Sequence, residues 1–292
     1  MKSLLIQDII ENLEGVNADD WKNYINDESI KIRGCFNPFT KISYRGTNQF
    51  NLLIDFIFNK RKSNKYTTFK QIKEKNYLLK KGSTGVCIEY FNYIITHKKN
   101  NAKIKFEEFQ KLTEIEKKEY QVFGFNKTYK VFNFDDIENY IEVPEDESEG
   151  RDIPVEENEF LNNLIKKNKI NVHHYKNNVA CYSGNNHTIY MPFKTYFKNN
   201  DAYLSTIFHE IIHWTGKDLE REKGRFGSKK YADEELIAEL GSMLLMFEIE
   251  NYNELKNSLC YLKGWLILAE DKVEQLSKLF GEAKKAVNFL LK

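Results

Sequence analysis

In the stretch STIFHEIIHWTG, residues 205–216, His209 and His213 stand four apart with Glu210 between them. Four residues of α-helix turn through about 400°, so the two imidazoles would share one face, one turn apart. Two neutral imidazoles in that relation can hold one Zn2+ at about 2.0–2.1 Å; a catalytic zinc takes a third protein ligand and leaves its fourth position to water. Glu210, adjacent to the first ligand, would reach that water as general base for hydrolysis. The bland alternative is a buried helix whose histidines are only hydrogen-bonded core.

A third ligand has to come from elsewhere. The segment EELIAE places Glu235 and Glu239 four apart, again on one helical face. Two neighbouring carboxylates are costly to bury unless something positive or hydrogen-bonding compensates. A divalent ion bound to one, with the other accepting the free N–H of a ligand histidine, would compensate both. Glu235 is expected as the metal ligand and Glu239 as the acceptor, although spacing alone allows the roles to be exchanged. Glu234, about 100° away around the helix, is the weakest candidate. On the bland reading both glutamates are surface acids on a solvated face.

These residues need two helices, and the sequence supplies them. Residues 202–214 carry the histidines, with Gly216 expected just past the helix end. YADEELIAELGSMLLMFEIE is a second helix, and residues 253–291 supply one or two more. Before them, EFLNNLIKKN reads as a helix and NVACYSGNNHTIYMP as a hairpin turning at SGNN. His173 and His174 are adjacent, so in a strand they point to opposite faces, and neither is expected on the metal.

Further upstream, residues 5–26 and NQFNLLIDFIFNKRK have helical periodicity, and VCIEYFNYII and KTYKVFNFDDI read as strands. The acidic, proline-containing VPEDESEGRDIPVEEN should be a solvated join. Its surroundings from 143 to 159 carry 8 acids against Arg151, a net of −7. The expected organisation is residues 1–142, a linker at 143–157, and residues 158–292. The expected fold class is α+β: an α+β module followed by a mainly helical domain with a small β-hairpin or sheet.

The chain has 292 residues, of which 41% are hydrophobic, and a net charge of +1. No apolar run approaches the ~20 residues of a membrane span. The four cysteines stand far apart, and the N-terminus lacks a signal-peptide pattern, so a reduced, cytoplasmic setting is expected. The charge is uneven. Residues 41–105 hold 15 Lys and Arg against 3 acids, a net of +12. Among them are Lys41, Arg45, Lys60, Arg61, Lys62, Lys65, Lys70, Lys80 and Lys81, interleaved with Tyr44, Tyr66, Phe69, Tyr77, Tyr90 and Phe91. A basic groove with stacking rings is how single-stranded nucleic acid is held; the alternative is a solvated lysine face over an ordinary aromatic core. YRGTNQ is the most pointed segment, with Arg45 for phosphate, Gly46 for close approach, and Asn48 and Gln49 for a base edge. Asn48 could instead cap a helix. Lys80 and Lys81 lead KKGSTG, whose backbone N–H groups could meet a phosphate.

TIFHEIIHWTG, followed by GRFG and YADEELIAELGSMLL, resembles the C-terminal zincin-like metallopeptidase domain of the ArdC-type antirestriction proteins of plasmids and phages. ACYSGNNHTIYMPFKTYF is similar to the strand segment before that domain's active-site helix. NPFTKISYRGTNQFNLL, LLKKGSTGVCIEYF and KVFNFDDIE resemble the same family's N-terminal single-stranded-DNA-binding domain. The likeness spans nearly the whole chain, departing in the linker and in NKRKSNK. It implies His209, His213 and Glu235 on the metal and Glu210 as the catalytic base, an H-E-x-x-H…E enzyme. Tyr182 and Arg225 are weaker candidates for the cleft wall, where either could stabilise an oxyanion.

The expected protein therefore binds single-stranded DNA, carries a zinc-dependent metallopeptidase-like domain with one Zn2+ per chain that could act on a protein or peptide of the host, and protects incoming DNA of a mobile element from restriction. Two rivals are a non-enzymatic DNA-binding protector with a structural or vestigial metal site, and a peptidase effector that acts on a host protein without nucleic acid. The peptide substrate, the DNA sequence preference, the oligomeric state and the physiological metal are not written in these residues.

Overall fold

The computed structural model of the chain describes residues 4–15, 34–140, 158–221, 224, 228–268 and 271–292. The expected acidic linker and Arg225 lie outside these residues. The fold is mixed α and β, as expected, with an N-terminal part of helices and a four-stranded sheet and a mainly helical C-terminal part with a small three-stranded sheet.

The N-terminal part begins with helix α1 (Leu4–Glu14) and a short pair of antiparallel strands, β1 (Phe36–Asn37) and β2 (Ile42–Ser43). Helix α2 (Gly46–Phe58) follows and is buried almost all round, from Gln49 to Ile57. A helix that apolar belongs in the middle of a core, not on its surface. Gly46 opens it at φ +57, a left-handed conformation that disfavours any side chain.

A four-stranded sheet packs against these helices in the order β3-β6-β4-β5. Its members are β3 (Tyr66–Thr68), β4 (Val86–His97), β5 (Lys103–Ile104) and β6 (Tyr120–Asn133), all antiparallel. Helix α3 (Phe69–Glu74) follows β3, fixed at its start by a capping box between Thr68 and Gln71. Helices α4 (Phe106–Gln110) and α5 (Glu114–Lys117) fill the connection from β5 to β6.

The long β4–β6 ribbon is paired over twelve positions, Val86 opposite Val131 to His97 opposite Tyr120. Near its base the other edge of β4 is closed by side chains. Asn51 Nδ2 donates to the Cys87 carbonyl at 2.9 Å and Asp8 Oδ2 accepts from the Cys87 N–H at 3.0 Å. Backbone groups that would otherwise template another strand are satisfied this way.

The C-terminal part starts with α6 (Glu159–Asn168) and a three-stranded sheet in the order β7-β9-β8. Here β8 (Cys181–Ser183) and β9 (Thr188–Pro192) form the expected hairpin, and β7 (Asn171–Tyr175) adds parallel to β9. Four helices complete the chain: α7 (Asn200–Asp218), α8 (Lys229–Glu248), α9 (Leu255–Leu268) and α10 (Lys272–Leu291). Helix α7 does not stop at Gly216, as expected from the sequence, but runs to Asp218. A Cβ at Gly216 would lie 3.4 Å from Nη2 of Arg221 and 3.6 Å from Oε1 of Glu234. The glycine makes room for that pair.

One continuous hydrophobic cluster runs through both parts, from Leu5 and Ile9 of α1 and Phe50 of α2 to Phe280 and Leu290 of α10. The rings of Phe50 and Phe280 sit 5.7 Å apart, and Lys272 of α10 pairs with Glu14 of α1. Burying apolar area of this kind contributes roughly 25 cal/mol per Å2. The two parts are thereby welded, with α10 as the shared wall.

Candidate metal centre

Helices α7 and α8 pack face to face, with Gly241 of α8 against Ile212 of α7. That contact sets the distance between the two helices that carry the site. His209, His213 and Glu235 meet there with their ligand atoms all within 4.8 Å of one another, the sole such group of three among the described residues. Nε2 of His209 lies 3.1 Å from Nε2 of His213 and 3.5 Å from a carboxylate oxygen of Glu235; the other oxygen is 3.7 Å from Nε2 of His213.

Ligands 2.0–2.1 Å from a tetrahedral ion are about 3.4 Å apart. The triangle has that size, so the donor set fits one small divalent cation. Glu235, not Glu239, stands with the histidines.

The outer partners set the tautomers. His213 Nδ1 lies 3.1 Å from Glu234 Oε1; a carboxylate can only accept here, so Nδ1 carries the hydrogen, and in the neutral ring Nε2 is left to present its lone pair. Nδ1 of His209 faces Glu239 Oε2 at 3.5 Å, while the other oxygen of Glu239 accepts from Ser258 Oγ at 2.6 Å. Glu234, the candidate ranked weakest on helical angle, is therefore an orienting group of one ligand. Arg221 holds it in turn, donating from Nε at 3.0 Å and from Nη2 at 3.1 Å. Arg221 also bonds the Ile212 carbonyl at 2.6 Å and Thr215 Oγ1 at 3.0 Å, which ties the end of α7 to the start of α8. No motif in the sequence marked Arg221; its signal was only a cation in the loop between two helices that share a buried carboxylate.

Without metal, burial would lower the pKa of His209, but the carboxylates of Glu235 and Glu239 outweigh it and raise the value to about 9. His213 also rises, burial again being outweighed by Glu234 and Glu235. Hydrogen bonds from both histidines hold Glu235 well below the usual carboxylate range. The shifts share one cause, the close packing of Glu234, Glu235 and Glu239 around the two imidazoles.

Glu210 is buried beside the cluster at 7% exposure. Tyrosines surround the cleft that were not singled out beforehand. Tyr231 bonds Glu235, which raises the pKa of its hydroxyl, and Tyr261 is pushed up to about 12 by burial and then by Glu235 and Glu239. Tyr182, expected on the cleft wall, is committed elsewhere. Its hydroxyl lies 2.8 Å from Nδ1 of His187, whose ring stacks on Trp214 toward the far end of α7. His174 is held by Tyr203 at 3.0 Å and is outside the cluster, as expected.

The sequence-predicted nucleic-acid residues fare differently. Asn48 spends its amide on the backbone of Glu89, donating at 2.7 Å and accepting at 2.8 Å, and does not cap α2. Gln49 has no exposed surface, so it reads no base. Arg45 is exposed at the start of α2 and lines a groove of about 470 Å3 shared with Glu89, Asn126 and Lys284. Lys80 Nζ donates to the Asp135 carbonyl at 2.6 Å, while Lys81 is exposed. Tyr66 is fully buried, Tyr77 packs on a small core, and Arg61 pairs with Asp55 and Asp136. The side chain of Phe91 lies outside the described set.

A histidine pair on one helix and a glutamate on the next, beside a small mixed sheet, define the class: residues 159–278 match the family of zincin-like metallopeptidases, MPTase-PolyVal. Residues 1–132 match the N-terminal domain of anti-restriction factor ArdC. With both domains in this order, the chain belongs to the ArdC-type family.

Crystal structures of antirestriction ArdC from plasmid R388 share the fold. The metal-free form has 23% identity and a TM-score of 0.61, over 99% of this chain and 97% of that one. The Mn(II)-bound form has 24% identity and a TM-score of 0.63, over 98% and 95%. Two Escherichia coli proteins named DNA primase TraC are 25% and 24% identical over 87% of this chain. The chain spans 24% and 17% of the length of these curated relatives. Among the described residues no helix is long and apolar enough to cross a membrane.

Proposed function

We propose that the protein is a metal-dependent peptidase of the antirestriction type, which binds single-stranded DNA through its N-terminal part and protects incoming DNA of a mobile element. The convergence of His209, His213 and Glu235, with Glu210 buried at their side, carries the enzymatic half. Two imidazoles and one carboxylate suit Zn2+ better than an oxygen-preferring ion. Such an ion supplies Lewis acidity, polarising the scissile carbonyl and making a water more acidic. Glu210 takes the proton of the attacking water and returns it to the departing amine. Glu234 and Glu239 keep both imidazoles in the tautomer that faces the ion. Tyr231 fixes the carboxylate of Glu235.

The matched N-terminal family and the net charge of residues 41–105 support the nucleic-acid half. The working compartment is proposed to be the cytoplasm and the substrate a host protein. The test is elemental analysis combined with cleavage. Zinc should be present at about one equivalent per chain and lost in His213→Ala, whereas Glu210→Ala should keep the metal and lose peptide cleavage. Protection of transferred DNA that survives Glu210→Ala undiminished would separate the protective role from hydrolysis. Oligonucleotide binding that ignores salt would remove the nucleic-acid half.

A further inference from the structure

Residues directly opposite in an antiparallel pair share a face of the ribbon. At the base of β4–β6, Val86 with Val131 and Ile88 with Tyr129 enter the core. Continuing outward on that same face come Tyr90 opposite Lys127, Asn92 opposite Phe125, Ile94 opposite Phe123, and Thr96 opposite Gln121. This stretch has left the core: Tyr90 is 51% exposed, Phe123 62% and Ile94 40%. On the reverse face Tyr93 stacks on Phe106 of α4 at 4.5 Å and Ile95 is buried, while Val122 opposite it stays 42% exposed.

We propose that single-stranded DNA crosses this outer face, its bases stacking on Tyr90, Phe123 and Phe125 and its phosphates drawn to Lys127. The inference rests on the reading that the N-terminal part binds single-stranded DNA, and it moves the contact away from the Arg45–Gln49 segment, where Asn48 and Gln49 are unavailable.

Three features select this occupant. The eight outer positions contain no acid and one exposed lysine, which suits a polyanion. Phe123 and Phe125 are two apart on one strand, about 6.8 Å along it, so successive bases of an extended strand can each find a ring. Phe123 and Phe125 adjoin each other, with Ile94 opposite Phe123, and Asn92, Thr96, Gln121 and Lys127 border them, which makes a small stacking platform with a polar rim. Stacking also tolerates any base, as protection of foreign DNA of arbitrary sequence requires.

The experiment uses the full chain and a fluorescently labelled oligo-dT, titrated against wild type, Tyr90→Ala, Phe123→Ala, Phe123→Trp and Lys127→Ala. Each aromatic-to-alanine change should weaken binding roughly tenfold without altering the thermal melt, because these side chains pack on no core. Phe123→Trp should keep the affinity and show indole quenching on binding, a signal that requires contact with the bases. Lys127→Ala should reduce the slope of log affinity against log salt by about 0.7. Wild type that binds while the alanine variants bind equally well would overturn the ribbon site and leave the N-terminal reading standing. Wild type that does not bind would overturn both. Variants that keep oligonucleotide affinity but lose self-association in sedimentation would make the face a protein interface and overturn the proposal.

Discussion

Glu234 Oε1 lies 3.1 Å from Nδ1 of His213, and the same carboxylate is gripped through both oxygens by Arg221. The ligand imidazole is thus aimed by an acid that is itself aimed by a base, with all three side chains no more than 8% exposed. Removing the negative charge while keeping the shape, in Glu234→Gln, should weaken metal binding about 10- to 100-fold. Competition with a chromophoric chelator measures this directly. Unchanged affinity would mean that the pair serves only to join the two helices.

Glu210 touches no ligand position, so its chemistry separates from metal retention. Glu210→Gln should leave the metal content near that of wild type and lower peptide cleavage by at least about 100-fold. Metal analysis and cleavage of a quenched peptide library on the same preparation give both numbers. Loss of metal in this variant would reassign Glu210 to holding the site together.

The pH dependence follows from His209. Its pKa in the metal-free fold is raised to about 9, above the ~6.5 of an unfolded histidine. A raised value adds stability that is fully present below about 6.5 and disappears as pH climbs through about 9. Thermal melts of the metal-free protein should therefore fall between these values. A cation must displace that proton, so metal affinity should rise over the same interval. Isothermal titration at pH 7 in buffers of different ionisation enthalpy should show proton release.

Asn48 separates a structural amide from a DNA-reading one. Asn48→Ala removes the two hydrogen bonds between this amide and the backbone of Glu89 and should destabilise the fold by about 1–3 kcal/mol. Urea denaturation gives the value. Oligonucleotide affinity of the folded fraction should not change.

Gly241 sets the spacing of the two site helices. A Cβ there would sit 2.7 Å from two carbons of the buried Ile212, so Gly241→Ala should cost about 1–3 kcal/mol and loosen the metal site with it. Pairing it with Ile212→Val should recover part of the loss in the same denaturation assay.

The meeting of His209, His213 and Glu235 was legible in sequence because their spacing is periodic. His209 with His213, and Glu235 with Glu239, follow from spacing of four on helices whose apolar pattern is strong, and Glu210 follows from standing next to His209. What stayed hidden depended on partners remote in the chain. Glu234 lies on the wrong helical angle for the metal, yet on the right one for the back of His213. Gly216 looked like a helix stop because a glycine that admits Arg221 and one that ends a helix are the same letter. Tyr182 was placed by chain proximity, but its hydroxyl found His187 first. In the N-terminal part, composition announced cations and rings without saying which were spent. Tyr66, Arg61 and Gln49 went inward, and the exposed Phe123 and half-buried Phe125 of β6 lie beyond the basic segment 41–105.

The weld between α1, α2 and α10 bears on biogenesis. Phe50 waits for Phe280, 230 residues later in synthesis, which at about 5–20 residues per second is on the order of 12 to 46 s. During that interval the greasy flank of the early helices is uncovered on the ribosome. The two halves should therefore mature together in a single late step, once α10 has been made.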